Sequence, residues 1–194
     1  ATVIALTSTT CPLSLKFAPL LGRLSAADAS RGVRWIFVDA TGSDTIEECR
    51  DFAREHGFVG SVVHDPSFQL TWALGCESSA EALVVDRRGT VRYRGCVDDR
   101  YGFGYARDEP RISPLRDALA SVLADRPVRV PAMSAPGCEL GPNLGAPGED
   151  TPTYHGTVSR IIQANCVQCH RSGGAGPFDL STADSVLANA TMIR

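Results

Sequence analysis

Residues 2–24 read TVIALTSTTCPLSLKFAPLLGRL, and the fold is decided here. Val3 to Leu6 is a short apolar run of the kind that forms a buried strand. Cys11-Pro12 follows, with proline at a first helical position, where its missing N–H costs nothing. Phe17, Leu20, Leu21 and Leu24 then fall at i, i+3, i+4 and i+7, which makes one apolar stripe along a helix. A strand that feeds a helix through a cysteine leaves that thiol beside free N–H groups and the positive end of the helix dipole. Such surroundings stabilise a thiolate, so Cys11 is the candidate attacking sulfur.

Working outward, strands and helices alternate through residue 125, the pattern of an α/β sandwich around a central sheet. Gly32 breaks into the run Val33 to Val38, a central strand ending at Asp39. Asp44 with Glu47 reads as a helix-capping pair, and Ile46, Cys49 and Ala53 continue an inner stripe up to Gly57. A short strand at Val62–Val63, a turn at His64-Asp65-Pro66 and a helical turn from Phe68 to Leu74 follow. Ala82–Val85 and Thr90–Arg94 flank Asp86-Arg87-Arg88-Gly89 as a hairpin. Counting outward from its tip sets Cys96 opposite about Ala80, which makes a Cys76–Cys96 disulfide plausible. A last helix spans about Leu115 to Ala124.

From Arg126 to Pro152 the stretch holds six of the chain's 12 prolines and four glycines, a semi-rigid linker or a strap laid over the first domain. Beyond it, Val158, Ile161 and Ile162 mark an amphipathic helix that delivers the chain to Cys166-Val167-Gln168-Cys169-His170. Two thiols three apart can form thioethers with two vinyl groups while the adjacent imidazole takes the iron, so this spacing points to one covalent haem c with His170 as its metal ligand. A zinc site would want a second Cys/His pair, and a thioredoxin-type CxxC would want a strand before it and a helix after it. Met192 lies 22 residues past His170 and is weighed as a second iron ligand against a place in the core.

The chain has 194 residues, a net charge of -3 and 21% charged residues. It lacks the basic surplus that neutralises phosphates, which counts against a nucleic-acid role, and it has no apolar run long enough to span a membrane. Its seven cysteines are many for a reducing cytosol, and with a thioether-bound haem they imply a periplasmic or otherwise extracytoplasmic address. His56 and His64 read as surface or turn residues, and no Asp/Glu/His spacing near them points to a metal. Asp98-Asp99-Arg100 reads as a locally paired loop, Cys49 as a buried core thiol, and His155 as exposed.

Residues 1–125 resemble the thioredoxin-like fold, in particular its redoxin and peroxiredoxin branch. The resemblance rests on TSTTCPLSLKFAPLLGRL at 7–24, RGVRWIFVDA at 31–40, HDPSFQLTWALG at 64–75, ALVVDRRGTVRYRG at 82–95, VDDRYGFG at 97–104 and Gly137-Cys138. Residues 153–194 resemble the opening of a small bacterial c-type cytochrome domain through CVQCH and the GPFDL that follows it. The resemblance implies an α/β thioredoxin-like sandwich over 1–125, a Pro/Gly-rich linker over 126–152, and part of an all-α cytochrome c domain over 153–194.

Three departures weaken an enzymatic reading. Ser14 stands where a dithiol oxidoreductase has its second cysteine. In a peroxidase signature Ser8 occupies the hydroxyl position, but Ile4 stands where proline belongs. Ser79-Ala80-Glu81 occupies the loop that carries a cis-proline in thioredoxin-like proteins. The expected function is therefore haem-based electron transfer beside a domain of reduced or lost thiol activity, working with a redox protein partner. The alternatives are a thiol peroxidase with Cys11 as nucleophile, Ser8 assisting and Cys138 resolving, and a structural subunit of a larger membrane-associated redox complex.

Overall fold

The computed structural model describes residues 1–102, 104–140 and 154–193. Five strands, β1 (Thr2–Thr7), β2 (Arg34–Asp39), β3 (Ser61–His64), β4 (Glu81–Val85) and β5 (Val91–Cys96), form one sheet in the order β3-β2-β1-β4-β5. β1 is central, parallel to β2 and antiparallel to β4. Covered on both faces, it reads as an unbroken apolar run rather than an alternating one.

Helices α1 (Pro12–Ala29) and α2 (Ile46–Glu55) make the parallel crossovers, α3 (Gln69–Ala73) precedes β4, and α4 (Pro114–Leu123) follows β5. Phe17 and Leu21 of α1 and Leu115, Ala118 and Leu119 of α4 pack onto Val3, Ala5, Trp35, Phe37 and Val84. The opposite face buries Leu6, Val38 and Leu83 under Phe68, with Trp72 and Leu74 alongside.

Two local expectations shift. The cap of α2 is a reciprocal Thr45–Glu48 box rather than Asp44 with Glu47. Asp44 instead accepts from the N–H of Thr9 at 3.0 Å and from Thr9 Oγ1 at 2.7 Å, clamping the loop that leads into Cys11. Cys96 pairs with Glu81, one residue from the expected Ala80, because an irregularity at Val84/Val85 slips the register. Cys76 and Cys96 are separate buried thiols, not the expected disulfide.

Of the two expectations for the Pro/Gly-rich stretch, its described part, 126–140, is the strap; residues 141–152 lie outside the described residues. Arg94 N–H donates to Pro131 O at 3.0 Å and Met133 N–H to Arg94 O at 3.0 Å, so the strap covers the edge of β5. It ends over the loop that precedes β4, where Ser79 N–H donates to Cys138 O at 3.0 Å and Leu140 N–H to Glu77 O at 3.0 Å.

The C-terminal segment begins with a π-helical turn (Tyr154–Val158), then α5 (Ser159–Asn165) and α6 (Ala183–Ala188) around Ile162, Val167, Leu180 and Val186. Arg94, only 2% exposed, fastens it to the sheet. Its guanidinium donates to Gln163 Oε1 at 2.9 Å, Gly75 O at 3.2 Å, His155 O at 3.2 Å and Ser159 Oγ at 3.3 Å. Ser159 and Gln163, one helical turn apart, thereby take the inward face of α5, which leaves Ile161 55% exposed instead of in the expected stripe. Met192 is 71% exposed and is no core residue.

Leu83 is fully buried between β1 and β5. Leu83→Ala is expected to cost about 2–5 kcal/mol, from lost transfer energy and the cavity left behind, measured by chemical denaturation.

Candidate functional site

Cys11 caps α1 from an extended conformation at the end of the loop after β1, as the strand–helix junction requires. The thiol is 3% exposed. Ser8 holds this loop: its Oγ accepts from the N–H of Cys11 at 3.1 Å and of Thr10 at 3.2 Å. That hydroxyl therefore presents Cys11 rather than standing free for a peroxide.

Across from Cys11 is the loop that joins α3 to β4, and no cis peptide occurs among the described residues. Ser79 Oγ donates to Cys11 Sγ at 3.1 Å and accepts from Cys138 N–H at 2.9 Å. Ser14 Oγ donates to Ser79 O at 2.7 Å, so the serine at the usual second-cysteine position anchors the facing loop. Cys138 Sγ comes within 3.1 Å of Cys11 Sγ. The structure thus brings together Cys11 and Cys138 across 127 residues, by laying the strap over the Ser79 loop.

Burial by itself would push the Cys11 thiol up from its ordinary 9.0. Hydrogen bonds from Ser79 Oγ, from the backbone at Ser14 and from Cys138 outweigh it and bring the thiol down to about 7. Cys138 moves the opposite way, chiefly because its hydrogen bond to Cys11 is made by the protonated thiol. Of the two sulfurs, Cys11 is the more readily ionised and Cys138 the one that keeps its proton. A cavity of about 250 Å³ lined by Ser8, Thr10, Thr41, Phe68 and Leu140 opens onto the pair.

The second predicted site follows α5. The N–H groups of Cys169 and His170 both donate to Cys166 O, at 3.1 and 2.8 Å, which folds the motif into a tight turn. Cys166 is half-buried and Cys169 exposed, and both are free thiols. His170 Nδ1 lies 3.1 Å from Phe178 O, which orients the ring and leaves Nε2 for a ligand. Gly176 packs so close that a Cβ there would come within 2.6 Å of Nδ1. Gln168 of the motif and the adjacent Arg171 border a cavity of about 590 Å³ shared with Ile112, Val128, Val130 and Met133 and with the polar Asp117, Ser121 and Arg129. Arg171 Nε is buried and has no partner among the described residues. Two free thiols and an oriented imidazole are the donors that a covalent haem would need, while the nearby cavity has a mixed polar and apolar lining that includes neither cysteine nor His170.

The remaining candidates resolve locally. Asp98 pairs with Arg100 and Asp99 with Arg107, each at 2.9 Å, as a paired loop. His155 is exposed as expected, and the His56 ring packs edge-on against Phe52. His64 departs from its expected turn: it ends β3 beside Asp39 and, with Cys49, forms a cluster that no spacing in the sequence signals.

No protein-family model and no curated protein matches the sequence. Solved structures do match. A hypothetical protein of Sinorhizobium meliloti superposes with a TM-score of 0.66 at 21% identity, over 74% of this chain and 80% of that one. An uncharacterized conserved protein of Geobacillus kaustophilus gives 0.61 at 24% identity, over 75% and 78%. A putative thioredoxin of Neisseria meningitidis gives 0.52 at 15% identity, over 64% and 75%. The α/β part of the chain has the thioredoxin-like fold.

The folded-state value near 7 lies below the ordinary one, so the Cys11 thiolate is populated above about pH 7 and lost as pH falls through it. Thiolate ultraviolet absorbance, read as the difference between the native chain and Cys11→Ser, is expected to titrate with a midpoint near pH 7. Ser79→Ala removes a charge-assisted hydrogen bond of about 1.5–3 kcal/mol and should raise that midpoint by about 1 pH unit or more.

Proposed function

We propose that this chain is an extracytoplasmic thiol–disulfide redox protein whose working couple is Cys11 and Cys138, and that it also carries one covalent c-type haem at Cys166, Cys169 and His170. The observation that carries the thiol half is the 3.1 Å approach of the two sulfurs, with Ser79 bonded to both residues. Cys138 supplies from the strap the second sulfur that Ser14 does not.

The chemistry balances with a protein disulfide as oxidant. Cys11 thiolate attacks one sulfur of that disulfide, forming a mixed disulfide and releasing the other sulfur as a thiolate, which takes up a proton. Cys138 then loses its proton and attacks the Cys11 sulfur, which frees the partner's second thiol. The partner leaves as a dithiol and this chain holds the Cys11–Cys138 disulfide; an external dithiol reverses the cycle. A structural relative from Chlorobium tepidum, described as a putative thiol:disulfide interchange protein, accords with this direction of chemistry at TM-score 0.50 and 15% identity, over 63% of this chain and 79% of that one.

At the second site Cys166 and Cys169 would hold the haem through thioethers and His170 Nε2 would bind its iron. When bound, the group supplies one-electron transfer. Phe178 O keeps the imidazole oriented, and Arg171 offers charge for a propionate. The extracytoplasmic address rests on this half, since thioether haem is attached outside the cytoplasmic membrane. A peroxidase reading is supported less, because the Ser8 hydroxyl is committed to the N–H groups of Thr10 and Cys11.

Two measurements test the halves separately. Exposure of the reduced chain to a small disulfide is expected to yield a Cys11–Cys138 bridge on peptide mapping, and Cys138→Ser should trap the mixed disulfide at Cys11. If Cys138→Ser turns over a disulfide substrate as fast as the native chain, the couple is excluded. A c-type pyridine haemochrome spectrum from chain matured in a periplasm is expected; colourless protein with Cys166 joined to Cys169 removes the haem and leaves the thiol couple standing.

A further inference from the structure

Asp39, Cys49 and His64 lie 10 and 15 residues apart in sequence, on three different elements. Asp39 ends β2 and His64 ends β3, and the two are register partners in adjacent parallel strands. Register partners leave the same face of a sheet, and here it is the face covered by α1 and α2. The buried stripe of α2 delivers Cys49 onto that face. One carboxylate oxygen, one sulfur and one ring nitrogen consequently come within 4.8 Å of one another.

We infer that these three side chains form a binding site for a single divalent cation of the zinc class, separate from both redox sites. The donor set is the first reason. Thiolate, imidazole and carboxylate are the three ligand types zinc accepts, and three protein ligands with an open fourth position is a recurring arrangement. Tetrahedral zinc with bonds of about 2.0–2.3 Å separates its ligand atoms by roughly 3.3–3.8 Å, which falls within the 4.8 Å that bounds the spacing of the three ligand atoms.

An independent reason is His64 Nε2, which is buried and has no hydrogen-bond partner among the described residues. A buried, unsatisfied ring nitrogen costs about 1–3 kcal/mol, and a cation removes that cost. The carboxylate is also prearranged. Asp39 Oδ1 accepts from Thr41 N–H at 3.0 Å and from Thr41 Oγ1 at 2.5 Å, which fixes the orientation of the group.

Charge points the same way. The carboxylate of Asp44 lies close to both Asp39 and Cys49. Two carboxylates, Asp39 and Asp44, are neighbours here, and a divalent cation would offset their repulsion. On coordination Cys49 releases its proton to solvent and binds as thiolate, giving a neutral set of Asp⁻, Cys⁻ and M²⁺ with the imidazole neutral.

The test uses the full-length chain carrying Cys11→Ser and Cys138→Ser, so that the redox thiols cannot contribute. Equilibrium dialysis against Zn²⁺ is expected to give one bound ion, and zinc X-ray absorption one sulfur neighbour with nitrogen or oxygen in the remaining positions. Loss of a residue that merely orients a ligand weakens binding about 10–100-fold, so His64→Ala and Cys49→Ser should each weaken it by more than about 100-fold. Zinc binding that persists in both variants, a shell with two or more sulfurs, binding abolished by removing Cys166 and Cys169, or no retained zinc would each overturn the site. The absorption measurement needs no substitution at the three ligands, so a variant that fails to fold leaves the test intact. The outcome is independent of whether Cys11 and Cys138 form a working couple.

Discussion

One hydroxyl, Ser79 Oγ, donates to the Cys11 sulfur and accepts from the Cys138 N–H, and the chemistry of the thioredoxin-like part depends on that geometry. A thiol 3% exposed would ordinarily stay protonated, because burial penalises the charged form. Donors converging from the facing loop, from the first turn of α1 and from the strap reverse the outcome. The anchoring of Ser79 is itself layered: Ser14 holds its carbonyl, and the Cys138 carbonyl receives its N–H. A serine where a dithiol protein would have cysteine is therefore a support for the nucleophile, while the second sulfur arrives from another part of the chain.

The same economy of polar contacts joins the C-terminal segment to the sheet. Arg94 is a buried guanidinium on β5, and desolvating it would be costly without partners. Its donors go to Gln163, Ser159 and two carbonyls, while Arg160 reaches Glu77 at 3.1 Å and Glu81 at 3.2 Å. Those contacts dictate which face of α5 turns inward, overriding the apolar spacing that would have buried Ile161. They also set residues 154–165 against the strand that borders the Ser79 loop, so the Cys-x-x-Cys-His motif and the Cys11–Cys138 pair belong to one connected framework.

Local pattern carried far where local physics decides. The apolar run of β1, Pro12 at the start of α1 and the glycine-tipped hairpin of β4 and β5 were each legible because hydrophobic period and turn chemistry act over a few residues. The place of Cys11 at the start of α1, and with it a thiol easier to ionise than usual, was legible for the same reason, since a helix N-terminus acts on the residue that caps it. The helix cap at Thr45 was misplaced by one residue because Asp44 had a tertiary use, clamping Thr9, that no local rule contains. The hairpin register slipped because an irregularity inside a strand has no sequence signature when both flanking residues are valine.

The sequence by itself determined the alternation of strands and helices, the place of Cys11 at the strand–helix junction and the Cys-x-x-Cys-His spacing, all properties of residues close together along the chain. Only the tertiary structure decided that Cys138 meets Cys11, that Ser79 polarises the pair, and that Asp39, Cys49 and His64 converge. These contacts join residues between 10 and 127 positions apart, and their closure is enforced by sheet register and by the path of the strap over an edge strand. Sequence spacing carries no record of either.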